Sequence, residues 1–93
     1  MKEFIYNTSV GKMFFAEFGN FIQSNCINGT SHFYEDVFMV MFEEYFVLSD
    51  EDIKQLSLIA YNYDLILNFR AESNCLIVEF SLNKSNYEKF LFV

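Results

Sequence analysis

The chain has 93 residues, 53% of them apolar and 20% aromatic, and 13 acids against six Lys and Arg give it a formal charge of −7. That length makes a single domain over 1–93, and so much apolar content excludes an acidic disordered tail, which needs low hydrophobicity as well as high charge. The acidity also excludes a nucleic-acid binder of the usual basic-faced kind, so no direct nucleic-acid contact is expected.

Thr8 and Ser9 offer caps for a first helix over 9–25. Val10, Phe14, Phe18, Phe21 and Ile22 follow at helical spacing. Asn28-Gly29-Thr30 breaks that helix, with Gly29 suited to a positive φ. The segment 31–48 comes next. Its centre, Val37-Phe38-Met39-Val40-Met41-Phe42, is rich in strand formers, yet its length and the acids Glu35 and Asp36 in a first turn favour a helix. Wound that way, Val37, Phe38, Met41, Phe42, Tyr45 and Leu48 share an inner face. Met39, Val40 and Val47 then lie outside, among Asp36, Glu43 and Glu44.

Ser49-Asp50-Glu51-Asp52 places an N-cap three residues before an acid, and Leu48 and Ile53 stand at the spacing of a hydrophobic staple. A helix over 50–62 follows, with Ile53, Leu56, Ile59, Ala60 and Tyr63 as its buried stripe. After Asp64 the period changes to two, which marks strands at 65–71 and 76–82. For their apolar residues to share a face, paired numbers must sum to an odd value; 147 fits, pairing Phe69 with Val78, Leu67 with Phe80 and Leu65 with Leu82 around a two-residue turn at Ser73-Asn74 or a four-residue loop of the same register. Residues 87–93 read as a third strand, with a short helix capped at Ser85 as the alternative. With no Pro and three Gly, turns must fall mostly on Asn, Ser and Asp.

The fold class is therefore α+β. About three helices, the middle one over 31–48, pack on one face of a small antiparallel sheet of two to three strands at the C-terminal end. The expected core is Phe14, Phe18, Ile53, Leu56, Leu67, Phe69, Val78 and Phe80.

Chemistry is sparse. His32 is the sole histidine, and no positioned acid, Gly-rich turn or oxyanion donor supports a nucleophile pair with Cys26. Asp50-Glu51-Asp52 opens like a calcium loop but continues without the central Gly that such a loop needs. No CxxC, HExxH, P-loop or GxGxxG occurs. Glu43 and Glu44 diverge by about 100° on a helix and cannot share a proton. No catalytic residue, metal or cofactor is expected, and the protein is read as a non-enzyme. Cys26 and Cys75 are read as buried hydrophobes. The first residues lack the pattern of a signal peptide, and no apolar run nears the roughly 18 residues of a membrane span. A cytoplasmic protein without a membrane partner is expected.

One feature rises above background. Between Lys12 and Lys54 there is no Lys or Arg, while eight acids fall there: Glu17, Glu35, Asp36, Glu43, Glu44, Asp50, Glu51 and Asp52. The rest of the chain is nearly neutral. A concentrated negative field of this kind steers and docks a basic partner. Glu35, Asp36, Met39, Val40, Glu43, Glu44, Val47, Asp50, Glu51 and Asp52 are the expected partner-binding residues, an apolar centre with an acidic surround. The function this suggests is a small inhibitor or immunity-type protein that blocks a basic, nucleic-acid-handling protein: a nuclease toxin, or a defence complex countered by a phage protein. The alternative is a homodimeric interaction module whose acidity only provides solubility.

Overall fold

A computed structural model describes residues 1–83. Two helices, α1 (Lys2–Asn7) and α2 (Ser9–Ser24), come first. A hairpin follows, β1 (Gly29–Tyr34) and β2 (Val37–Phe42). Then come α3 (Asp50–Asn62) and a second hairpin, β3 (Leu65–Glu72) and β4 (Cys75–Leu82). The four strands form one antiparallel sheet in the order β1-β2-β4-β3. Among the described residues no helix is long and apolar enough to cross a membrane.

The α+β class holds, but the sheet has four strands among the described residues rather than two to three. The difference lies in 31–48, which is not a helix. Glu35 and Asp36 form the two-residue turn of a hairpin, and Glu35 takes a φ of 22° there. Val37–Phe42 becomes an inner strand, paired to β1 on one side and β4 on the other. At its centre β2 is buried on both faces, which is what a continuous apolar run satisfies. Phe38, Val40 and Phe42 face the helices, while Met39 lies on the opposite face and is buried too. A helix over the same residues would have left Met39 and Val40 in water, and burial outweighed the local acid-in-first-turn signal.

The second hairpin has the expected register, with Leu65 opposite Leu82, Leu67 opposite Phe80 and Phe69 opposite Val78. Ser73 and Asn74 both have positive φ, 52° and 65°, as a two-residue hairpin turn that follows the strand twist requires. The left-handed residues elsewhere are Cys26, Tyr45 and Asp64, and no glycine has positive φ. Gly29 serves close approach instead, since a Cβ there would come within 2.9 Å of Val40 and 3.0 Å of the Met41 carbonyl oxygen. The expected third strand over 87–93 lies outside the described residues.

The helices pack on one sheet face around a phenylalanine core. Phe4, Phe14, Phe38, Phe42 and Phe80 are fully buried. Phe14 is the hub, with ring centroids 5.0 Å from Phe80, 6.2 Å from Phe38 and 6.3 Å from Phe18. Of the expected core, Phe14, Phe18, Leu56, Val78 and Phe80 are buried. Leu67 is half-buried, and Ile53 and Phe69 are 40% and 36% exposed. Both belong to the correct face but sit where the helix layer ends. Cys26 is exposed and Cys75 half-buried, so neither is a buried hydrophobe.

The short helix α1 has no counterpart in the sequence reading, because six residues are too few to show a period. It brings Met1, Phe4 and Ile5 into the core. Thr8 joins it to α2: its hydroxyl donates to the Phe4 carbonyl (2.6 Å) and accepts from the Gly11 N–H (2.9 Å) as the cap of α2. At the other end of the layer, Ser49 and Asp52 form the reciprocal capping box of α3.

Between α2 and the end of α3 the Tyr63 hydroxyl donates to Glu17 Oε2. This bond to a carboxylate, with partial desolvation, raises the Tyr63 pKa to about 12. The neutral phenol is the form that the fold favours. The bond's contribution to stability is complete below the unfolded tyrosine pKa near 10 and is lost as pH rises through about 12. Urea unfolding between pH 9 and 12 should show stability falling across that window. Tyr63→Phe should remove this component of the fall; an identical slope in both proteins would contradict the assignment.

Candidate functional site

The structure divides the acidic segment into two poles. Glu35 and Asp36 sit at the tight turn between β1 and β2. Glu43 and Glu44 lie at the far end of β2, roughly 20 Å away by the rise of an extended strand. From there the 43–49 loop leads to the N-terminus of α3, so Asp50, Glu51 and Asp52 gather at the same end as Glu43 and Glu44. The loop is tied down by the Tyr45 N–H to the Asn74 carbonyl (3.0 Å), and Asn74 Nδ2 donates to the Tyr45 hydroxyl (3.3 Å). Glu17 is apart from both poles, engaged with Tyr63.

Met39 and Val40 are not part of an exposed apolar centre, contrary to the sequence reading. They are 4% and 5% exposed, on opposite faces of the inner strand β2. Val47 alone of the three is exposed, at 81%. An apolar centre does exist at the larger acidic pole, but other residues build it. Phe46, Val47, Leu48, Ile53, Phe69 and Leu76 line a shallow apolar hollow where the first turn of α3 meets the end of the second hairpin. Sequence reasoning found the pieces, the Leu48–Ile53 staple and the inward parity of Phe69. It assigned Ile53 and Phe69 to the core because nothing local indicates that the helix layer stops short of them.

The charge pattern of this pole is one-sided. Glu43, Glu44, Asp50 and Glu51 make no ion pair among the described residues. Asp52 spends one oxygen on the Ser49 N–H. The three N-terminal acids also sit where the α3 dipole is positive, which lowers the cost of concentrating them. Ion pairing occurs instead on the sheet face away from the helices, where Arg70 meets Glu72 at 2.7 Å and Glu79 at 3.4 Å.

A second concavity lies at the opposite edge of the sheet. Between α2 and β1 runs a groove of about 290 Å³. Phe15, Gly19 and Ile22 form its helical wall, Gly29 and Ser31 its strand wall, and Phe38 lies in its floor. The groove exists because the residues of β1 that point under the helix are small. Gly29 and Ser31 fill little of the space beside Phe38 and Val40, and a Cβ on Gly19 would meet nothing within 4 Å.

Among the described residues no His, Cys, Asp or Glu lines either concavity. His32 is exposed on β1, with its ring 6.5 Å from that of Tyr34. Cys26 is in the α2–β1 connection. Among the described residues no group of three or more His, Cys, Asp or Glu is placed to hold a metal ion. What the described residues offer is apolar area, carboxylates at 43–44 and 50–51 outside the Arg70 ion pairs, and a strand edge with no described neighbour. No protein-family model matches the chain, and it matches no curated protein.

Proposed function

We propose that this is a non-catalytic acidic binding protein of the inhibitor or immunity type, acting in the cytoplasm. It docks on a basic, nucleic-acid-handling partner, a nuclease or a nucleic-acid-binding complex, and occludes the surface that otherwise holds phosphates. The observation that carries this reading is an apolar hollow, with Val47 81% exposed, at the end of the sheet where β2 runs out to Glu43 and Glu44 and the 43–49 loop leads to Asp50, Glu51 and Asp52 at the start of α3. Carboxylates beside an apolar centre suit the polar-rim and apolar-core anatomy of a protein interface. Their field accelerates encounter with a cationic surface, and salt screens it within about 10 Å at 0.1 M.

The test is capture of a partner on the immobilised protein, its identification by mass spectrometry, and binding kinetics with the purified partner. The reversal Glu43→Lys, Glu44→Lys, Glu51→Lys should weaken binding by tens-fold or more, chiefly through the on-rate, and flatten its salt dependence. Reversal of Glu3, on α1 and away from this pole, should do little. Normal binding and unchanged salt response in the triple variant would reduce the acid to a solvating role. A salt-insensitive homodimer would then be the better account.

A further inference from the structure

We infer that β1 is a docking edge for an extended cationic segment of a partner protein, which adds a fifth strand beside it and seats apolar side chains in the groove under α2. The inference rests on the acidic-partner reading above and names the conformation of what is bound.

Three observations converge. The first is backbone chemistry. In an antiparallel ladder alternate residues turn their N–H and C=O toward the partner strand. The Glu43 N–H donates to the Asn28 carbonyl (3.2 Å), which puts Asn28 and, by alternation, Thr30, His32 and Tyr34 in the set bonded toward β2. Gly29, Ser31 and Phe33 therefore aim their main-chain donors and acceptors outward, and β1 has no strand beyond it among the described residues. Five of its six residues are exposed. Edges of this kind are normally blunted by Lys, Pro or a bulge, and β1, Gly-Thr-Ser-His-Phe-Tyr, contains no Lys or Pro and pairs with β2 without a bulge.

The second observation is the groove. The residues whose backbone faces outward are those whose side chains point under the helix. At Gly29 and Ser31 these side chains are absent or small, so the approach lies open where a new strand would lay its own alternate side chains. Main-chain pairing with a pocket beside it is the general arrangement of strand-addition recognition.

The third is charge. Acids flank both ends of the edge, Glu35 and Asp36 at one and Glu43 at the other. The stretch from residue 13 to 53, which includes both strands and most of α2, contains no Lys or Arg. The cations nearest the turn are the Met1 amino group, which donates to the Glu35 carbonyl (2.6 Å), and Lys2, whose Nζ lies 5.8 Å from the centre of the Phe33 ring; they offset part of the charge at that end and leave the Glu43 end without a nearby Lys or Arg in sequence. A second copy of this chain would bring its own charge of −7 to the same edge, which favours a basic strand over self-pairing.

The probe is a short fluorescent peptide of alternating Lys and Val, with an alternating Glu and Val peptide as its counterpart, read by fluorescence polarisation. Ser31→Pro removes an outward N–H while leaving the β2 pairing in place. Gly19→Leu fills the groove from a position where a side chain meets no obstacle. Both variants should weaken the Lys–Val peptide by at least about tenfold, and the Glu–Val peptide should not bind. Far-UV circular dichroism checks each variant, and if Ser31→Pro does not fold, Gly19→Leu decides alone. Equal affinity in folded variants would mean diffuse attraction to the acidic surface, which overturns the edge but keeps the acidic-partner reading. Absence of binding to the unmodified protein also overturns the edge, whereas loss of charge dependence with the captured partner overturns the reading beneath it. A homodimer abolished by Ser31→Pro would assign the edge to a second copy and equally overturn the proposal.

Discussion

Replacing Gly11 by alanine is expected to destabilise the protein by at least about 3 kcal/mol, at the top of the usual range for overpacking. A Cβ at this position would fall 1.7 Å from the Phe4 carbonyl oxygen, 2.4 Å from the Phe4 carbonyl carbon and 2.8 Å from Ile5 Cα. All three are backbone atoms and cannot step aside by changing a rotamer. Relief requires α1 to move off α2, which would break the Thr8 hydroxyl bond to Phe4 and draw Phe4 and Ile5, 0% and 1% exposed, out of the core. For a domain of this size that cost lowers Tm by roughly 12–24 °C. Gly19→Ala is the internal control. It lies on the same helix with open space around its Cβ, so it should gain about 0.5–1 kcal/mol from helix propensity alone. Chemical unfolding of both variants measures the contrast. A loss below about 1 kcal/mol for Gly11→Ala would mean that α1 is not held against α2 as described.

Phe14→Ala should cost about 3–5 kcal/mol. The ring is completely buried and is in contact with those of Phe4, Phe18, Phe38, Tyr63 and Phe80, from α1, α2 itself, the C-cap of α3 and two strands. Removing it leaves a cavity bounded by elements that are fixed by the sheet, so collapse is limited. Each edge-on aromatic pair lost adds about 0.5–1.5 kcal/mol to the area term. Phe69→Ala is the informative comparison, because hydrophobic periodicity, helical for Phe14 and of period two for Phe69, places both residues inside. Phe69 remains 36% exposed at the apolar hollow, and its truncation should cost only about 1–2 kcal/mol. Equal losses at the two positions would mean that the hollow is covered in solution. That result would also count against Val47 and its neighbours as a docking centre.

Those neighbours show how far the binding surface was readable in advance. The acid content of 13–53 is a property of the chain, and any fold would have carried it. Its division into two poles is not, because that depends on whether 37–42 rises 1.5 Å per residue as a helix or about 3.3 Å as a strand. Extended, the segment carries Asp36 and Glu43 to opposite ends of the sheet and buries Met39 and Val40 between them.

Local chemistry alone determined much of this protein. The helical spacing of Phe14, Phe18 and Phe21, the Ser49–Asp52 capping box, and the parity that sets β3 against β4 each involve neighbours within a turn or a hairpin. Their energetics are settled over a few residues. Tertiary structure decided the rest where local preferences were balanced or silent. Val37–Phe42 could serve as helix or strand, and it became a strand because pairing with β1 and β4 buries both of its faces. The six residues of α1 have no period to read, and they are helical because Phe4 and Ile5 find a core across the Gly11 contact. Ile53 and Phe69 obey their patterns and still face water, because exposure depends on where neighbouring layers end, and that boundary is set by the whole arrangement of helices over the sheet.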